Sequence, residues 1–277
     1  TGKSLNNIVA KGENTLAKIL DILIRFRSKP FAMSGDIRMA YNGIWLYPRY
    51  YKYQKFLWKE DLDPSNPLIV MIIVTLIYGI KSSGQQTLAG FCALAEYCAE
   101  HYPEHYDGAE AVKRDFYMDD LMKSIRSIAE GRRIAESIKF TLALGDLEIK
   151  AFTFSGESPS EEISADGIHI GALGYLWDSK KDTVSLDIKP LFFGKPKKGA
   201  KPELIQGDFK DKLRKVFTKR TILGKVAGVY DPLGLVTPIS AKLKLDLHRI
   251  TDLKVDWDQA LPDFLLDTWV DNLQMIQ

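Results

Sequence analysis

The chain has little cysteine, no apolar run long enough to cross a membrane, and almost no net charge. Only two cysteines occur in 277 residues, which excludes a disulfide-rich secreted scaffold. The most apolar stretch, residues 67–80 (PLIVMIIVTLIYGI), is shorter than the roughly 20 residues of a spanning helix. We interpret it as a buried strand. The polar start TGKSLNNIVAKG does not resemble a secretory leader, so we expect a soluble intracellular protein without a membrane partner.

The formal net charge of +2 averages two segments of opposite sign. The acidic segment is ESPSEEISADG at 157–167, and a basic segment follows from residue 194. A basic segment of this kind suits a nucleic-acid phosphate backbone, although a solvated linker followed by a charged helix face would have the same composition. The candidate backbone contacts are Lys195, Lys197, Lys198, Lys212, Lys215, Lys219 and Arg220.

Strand and helix signals alternate up to about residue 190, and the chain then becomes helical. Helices are predicted at 5–10, 14–27, 87–100, 124–144, 209–217, 221–229, 239–250 and 264–275. Strands are predicted at 31–36, 53–58, 67–78, 150–154, 170–177 and 183–188. The pattern indicates the α+β class, with a split βαβ antiparallel sheet covered on one side by helices.

Two adjacent acids stand out in the tetrapeptide Tyr117-Met118-Asp119-Asp120. Neighbouring carboxylates flanked by apolar residues repel each other unless a cation lies between them. Strand signals on both sides place the pair at a hairpin. Asp36 ends another predicted strand, so one sheet could bring all three acids together. Three carboxylates can hold two Mg²⁺ ions, an arrangement that suits phosphoryl transfer.

Each of these signals also has a simpler interpretation. Asp36 alone would be an ordinary strand-end or helix-capping acid. A second cluster has the residue types of a zinc site, but its spacing does not match a zinc finger, and packed cysteines are the favoured interpretation. That cluster comprises Cys92, Cys98, His101 and His105.

Several segments together carry a family resemblance. They are DIRMAY at 36–41, YGIKSS at 78–83, YMDD at 117–120, GDLEIKAFTFSG at 145–156 and LGYLW at 173–177. With KRTILGKVAGVYDPLGLVTP at 219–238 and WDQALP at 257–262, the chain resembles the reverse transcriptase of Bel/Pao-type long-terminal-repeat retrotransposons. The second motif departs from the family pattern, because Gly84-Gln85-Gln86 stands where proline is usual.

The resemblance implies a right-hand polymerase fold with a palm, a helical thumb and truncated N-terminal fingers. The implied domains are residual fingers helices at 1–30, the palm with part of the fingers at 31–190, a basic linker at 191–207, and a thumb-like region at 208–277. On this basis we expect an excised or partly observed core of a longer polyprotein, or a domesticated remnant.

The resemblance also implies roles for individual residues. Asp36, Asp119 and Asp120 would bind the metals, with the carbonyl of Ile37 as a further ligand. Tyr41 would lie under the ribose and select deoxynucleotides. The nucleotide-binding set would comprise Ile37, Arg38, Tyr41, Lys81, Ser83 and Lys150. The primer grip would comprise Leu173, Gly174 and Tyr175.

The function implied is an RNA- or DNA-templated DNA polymerase that uses Mg²⁺, with Mn²⁺ as an alternative. Its partners would be a template-primer duplex, deoxynucleotides, and other polyprotein domains or a second chain. Cytoplasmic retroelement particles or the nucleus would be its location. The alternative function is a non-catalytic reverse-transcriptase-like scaffold or nucleic-acid-binding subunit.

Overall fold

The computed structural model describes residues 2–274, apart from residues 3, 14, 62, 64 and 187–216. Nearly all of the helix predicted at 209–217 and the basic linker lie outside the described residues. The chain forms two compact units. The first comprises Thr1–Leu173 and Trp177–Val184, and the second comprises Gly174–Leu176 and Ser185–Gln277.

A four-stranded antiparallel sheet is at the centre of the first unit. Its strands are β1 (Phe31–Arg38), β4 (Phe116–Tyr117), β5 (Asp120–Ile125) and β6 (Glu148–Phe154), in the order β4-β5-β1-β6. Strands β1 and β5 are distant in sequence, yet they pair from Phe31–Ile125 to Asp36–Asp120. This pairing brings the three candidate acids to one part of the sheet.

Three helices pack on one face of this sheet: α3 (Ser83–His101), α4 (Tyr106–Arg114) and α5 (Ile128–Ala143). Side chains alternate along a strand, and Met33 and Ile37 of β1 both enter the core under these helices. Helix α5 begins later than position 124, where the sequence predicted it. The Ser127 side chain accepts a hydrogen bond from the Glu130 N–H at 3.1 Å, and this N-cap leaves the preceding residues free to extend β5.

The opposite face of the sheet is contacted by a short helix from the N-terminal part of the chain. Helix α1 spans Leu5–Ile8, and α2 spans Ile19–Phe26, beginning later than the predicted position 14. The Ser124 hydroxyl of β5 donates to the carbonyl of Arg25 at 2.7 Å. This bond fixes the end of α2 against the sheet.

A two-stranded hairpin projects from the first unit, formed by β2 (Lys55–Trp58) and β3 (Ile69–Ile72). Every residue of both strands is exposed, so our expectation of a buried strand across 67–80 was wrong. The β-branched residues do favour a strand, but no described part of the chain covers it. The hairpin therefore presents apolar side chains to solvent.

A separate three-stranded sheet follows, formed by β7 (His169–Ala172), β8 (Tyr175–Asp178) and β9 (Thr183–Leu186). The single strand predicted at 170–177 is two strands joined by a turn. Leu173 and Gly174 have φ angles of +51° and +104°, which end the extended conformation. Trp177, on β8, is fully buried and packs edge-on against Phe26.

The described part of the second unit is mainly helical, with α6 (Lys219–Ala227), α7 (Thr237–Thr251) and α8 (Asp263–Gln274). These bounds confirm the three helices predicted at 221–229, 239–250 and 264–275. Their apolar faces form one core around Phe217, Ile222, Ile250 and Trp269. Across the described residues of both units, no helix combines the length and the apolar composition needed to cross a bilayer.

Candidate active site

The YMDD tetrapeptide forms the tight turn between β4 and β5. Tyr117 pairs with Asp120, which leaves Met118 and Asp119 as the two turn residues. Met118 has a φ of +59°, an uncommon conformation for a residue other than glycine. The Ile37 N–H donates to the Asp119 carbonyl at 2.9 Å and fixes the turn against β1. The acids thus lie on a rigid hairpin, as the sequence predicted.

Asp36 lies directly opposite Asp120 in the β1–β5 ladder. Residues opposite each other in an antiparallel pair project from the same face, with their Cβ atoms about 5 Å apart. Because Met33 and Ile37 project into the helix-covered core, Asp36 and Asp120 project from the other face. The register therefore places two carboxylates side by side, with Asp119 in the adjoining turn.

Lys150 comes to the same place through an irregularity in β6. The β1–β6 register shifts between Gly35 and Ile37, so that Lys150 and Ala151 share the position opposite Asp36. The Lys150 ammonium lies 2.7 Å from Oδ1 of Asp36. This ion pair places one positive charge beside the three carboxylates, and the hydrogen bond to Asp36 raises the pKa of Lys150.

The pKa values of Asp119 and Asp120 are both raised. Burial is the largest cause for Asp120, and the neighbouring charges of Asp119 and Asp36 add to it, which raises its pKa from 3.8 to about 7. Burial and the charge of Asp36 likewise raise the pKa of Asp119. Negative charge is therefore concentrated beyond what Lys150 alone offsets, as expected for a site that attracts cations.

Two aromatic rings lie near the acids. Tyr41 packs against Tyr78 with ring centroids 4.5 Å apart. Burial, followed by the charge of Asp119, raises the pKa of Tyr41. A Cβ placed on Gly84 would lie 3.6 Å from the Tyr41 hydroxyl and 3.4 Å from the Met118 methyl group. These are ordinary van der Waals distances, so the first turn of α3 lies beside both side chains.

Two other residues of the predicted nucleotide-binding set, Arg38 and Ser83, have side-chain partners within the protein. Arg38 lies 3.3 Å from Glu148 and 3.4 Å from Glu162. Ser83 is buried, and its hydroxyl donates to the Ile77 carbonyl at 2.7 Å, which argues against direct contact with a nucleotide.

Lys81 immediately precedes α3 and is exposed. Its backbone N–H donates to the Asn6 side chain at 2.9 Å. Its position at the start of the helix agrees with the sequence prediction, while the contact of its side chain with a nucleotide stays a prediction.

The carboxylates fit Mg²⁺ by ligand type and by backbone placement. All donors are hard oxygens, and a bound cation would favour the ionised form of Asp120, whose pKa is raised first by burial and then by the charges of Asp119 and Asp36. Among the described residues, however, no three acidic, histidine or cysteine side chains converge as a ready metal cluster. At this site Asp36 forms an ion pair with Lys150. The candidate zinc ligands do not converge either: Cys98 is fully buried near Thr141, and His105 stacks on Phe140.

The predicted primer-grip residues belong partly to a turn. Leu173 and Gly174 form the β7–β8 turn, and Tyr175 begins β8. The buried Tyr175 hydroxyl donates to Asp231 and accepts the Leu233 N–H at 3.0 Å. Burial and the bond to Asp231 raise the pKa of Tyr175 to about 12. The Tyr175 hydroxyl thus anchors the loop that contains Asp231 and Leu233. Contact of Leu173, Gly174 and Tyr175 with a primer stays a prediction.

The two described candidates for backbone contacts, Lys219 and Arg220, also have internal partners. The Lys219 ammonium is largely buried and donates to the carbonyls of Thr251 and Leu253, at the end of α7. Arg220 forms a double hydrogen bond with Asp258 at 2.7 and 3.0 Å. This argues against Lys219 as a phosphate contact. The remaining candidates, Lys195, Lys197, Lys198, Lys212 and Lys215, lie outside the described residues.

Comparison with known families gives one match, over residues 218–277, to a Pao retrotransposon-like RNaseH-like domain. The match supports a Bel/Pao retrotransposon protein, which agrees with the retroelement part of our expectation, and it does not specify a reverse transcriptase. A search of curated proteins found no match. The matched segment includes α6, α7 and α8, which we had interpreted as thumb-like. Its described residues contain no metal-ligating cluster of acids.

Proposed function

We propose that this chain is the polymerase core of a Bel/Pao-type retroelement polyprotein and extends a DNA primer on an RNA or DNA template. The observation that carries the proposal is the β1–β5 register, which aligns Asp36 with Asp120 beside the Asp119 turn. Asp36 and Asp120 lie opposite each other on strands that are distant in sequence, with Asp119 in the adjoining turn, and three carboxylates placed together suit nucleotidyl transfer. The family match at 218–277 supports the retroelement context.

In this proposal Asp36, Asp119 and Asp120 hold Mg²⁺, with the Ile37 carbonyl as a further ligand. When bound, the metal supplies charge neutralisation on the triphosphate and lowers the pKa of the primer hydroxyl. Lys150 brings a positive charge to the edge of the site, where it offsets charge on the departing phosphates. The ring of Tyr41, which packs on Tyr78, lies under the ribose and disfavours a 2′-hydroxyl.

The test is primer extension on an RNA template with Mg²⁺, comparing wild type with Asp119→Asn. An exposed carboxylate on α2 gives the matched control, Asp21→Asn. We expect incorporation by wild type and the control, and a loss of at least about 100-fold in Asp119→Asn, because electrostatic stabilisation at the reacting centre is the main contribution of such residues.

The alternative function is a non-catalytic nucleic-acid-binding scaffold. The observation that favours it is the Lys150–Asp36 ion pair, which engages one acid internally, and no metal cluster converges among the described residues. If wild type and Asp119→Asn bind template-primer duplex equally and neither incorporates nucleotide, the polymerase proposal fails and the scaffold is supported.

A further inference from the structure

A surface distant in sequence from the YMDD turn combines exposed rings with unpaired cations. Between Asp36 and Glu60 the chain contains no acid, five Lys or Arg residues and eight aromatic residues. Part of this stretch folds as a short 3₁₀ helix, Pro48–Tyr53, which leads into β2. We define the aromatic–basic surface as the exposed residues Tyr47, Arg49, Tyr50, Lys52, Tyr53 and Lys55.

The rings of this surface face solvent instead of the core. Tyr47, Tyr50 and Tyr53 are 73%, 42% and 53% exposed. They line one side of a cavity of about 530 Å³, whose other walls include Leu5 and Gln86. Three tyrosines beside one apolar recess provide flat faces on which planar groups can stack.

Two of the three cations of the surface, Arg49 and Lys52, lie over these rings. The Arg49 guanidinium lies 4.7 Å from the Tyr50 ring centroid and 5.7 Å from that of Tyr47, and the Lys52 ammonium lies 5.1 Å from that of Tyr53. Within the described part of the chain, Arg49, Lys52 and Lys55 form no salt bridge. Their charge is therefore available to a ligand, while the cation–π contacts keep it beside the rings.

We propose that the aromatic–basic surface binds a single-stranded segment of nucleic acid, with bases stacked on the tyrosines and phosphates beside the cations. Stacking faces interleaved with unpaired positive charge match the alternation of base and phosphate along a single strand. A duplex keeps its bases stacked inside, so it offers this surface only phosphates. The unpaired cations therefore favour a polyanion as ligand, and the exposed tyrosine rings favour a single strand over a duplex.

The test uses the complete chain and a fluorescently labelled 12-nucleotide oligothymidylate, with EDTA present and nucleotides absent, and measures fluorescence anisotropy. For Tyr47→Ala/Tyr50→Ala we expect the Kd to rise about 10-fold or more. Tyr47→Phe/Tyr50→Phe keeps the rings and should retain wild-type affinity. The matched control is Tyr106→Ala, which removes an exposed tyrosine from α4.

The salt dependence gives a second measurement on the same surface. Replacing Lys52 and Lys55 with Ala should reduce the slope of log K against log salt concentration by about 1.4, at about 0.7 per phosphate contact on a single strand. Circular dichroism checks that each variant folds. Unchanged affinity in the folded double tyrosine variant would overturn the proposal, as would an equal loss with Tyr106→Ala.

Two further measurements test whether the aromatic–basic surface binds a membrane or a second copy of the chain instead. Anionic vesicles and sedimentation of the chain alone are tested with the same variants. If the tyrosine changes abolish vesicle binding or self-association and leave oligonucleotide binding intact, the surface serves a membrane or a second copy and the proposal is wrong. Because no metal or nucleotide is present, the result is independent of polymerase activity. An inactive chain that still binds single strands through these tyrosines sustains this inference while the proposed function fails.

Discussion

Replacing Asp120 with Asn should stabilise the sheet above neutral pH, because the native state must otherwise hold an ionised carboxylate in an unfavourable place. In the folded protein the pKa of Asp120 is about 7, against an ordinary value of 3.8. The folded state therefore binds its proton more tightly than the unfolded state. Stability from this group is complete below pH 4 and is lost as the pH rises through 7.

The magnitude follows from the size of the shift. Each pKa unit corresponds to about 1.36 kcal/mol, so the full shift of about three units sets an upper bound of about 4 kcal/mol. The unfolded carboxyl is already ionised near pH 5, which leaves about 2 to 3 kcal/mol of free energy of unfolding to be lost between pH 5 and pH 8. Asn cannot ionise, so the variant should lose little over that range.

The assay is hydrogen exchange measured by mass spectrometry in EDTA and corrected for intrinsic exchange rates. Peptides that cover β1 and β5 report the local loss of stability with pH. Wild type and Asp21→Asn should lose protection from pH 5 to pH 8, whereas Asp120→Asn should not. Mg²⁺ added at pH 8 should restore protection in wild type and in Asp21→Asn. Parallel pH profiles for all three proteins would refute the argument that burial and the neighbouring charges disfavour the ionised form of Asp120.

Three further outcomes are expected. Tyr41→Val removes the ring packed on Tyr78 and should raise the ratio of kcat/KM for a ribonucleotide over its deoxynucleotide by about 10- to 100-fold, measured by single-nucleotide insertion; an unchanged ratio excludes Tyr41 as the sugar gate. Trp177→Ala removes a fully buried ring and should lower the free energy of unfolding by about 3 to 5 kcal/mol in urea titration, whereas the exposed Trp257→Ala should have a much smaller effect. Gly108→Ala places a Cβ against the Ser137 backbone and should cost about 1 to 3 kcal/mol; thermal stability equal to wild type would show that α4 and α5 can separate freely.

Local patterns predicted most elements of the fold. The apolar periodicity around Ile222 and Ile250 located two of the second-unit helices to within two residues. Helix α5 was placed a few residues early, because the residues of β5 and those of the first turn of α5 are similarly apolar. Only the Ser127 cap divides them. Apolar composition at 67–80 predicted strand character but not burial, because burial depends on what else packs there.

Some features of the candidate site were likewise predictable from local sequence, and others were not. The adjacent acids Asp119 and Asp120 and the hairpin that carries them were visible in the sequence, since a tight turn between strands is a local feature. The engagement of Ser83 and Lys219 by backbone carbonyls was not visible, because serine and lysine lie mostly on exposed surfaces. The sequence also did not predict the aromatic–basic surface, because tyrosines near lysines in sequence are as compatible with a core as with an exposed face.

The sequence by itself determined which acids could act together, the order of strands and helices, and the excess of positive charge and aromatic rings between Asp36 and Glu60. The tertiary structure alone decided that Asp36 lies opposite Asp120, that a shift in β6 brings Lys150 to Asp36, and that the tyrosine rings remain exposed. Helix and strand propensity act over a few neighbouring residues. Register, ion pairing and burial depend on contacts between segments about 80 to 115 residues apart, which no local pattern encodes.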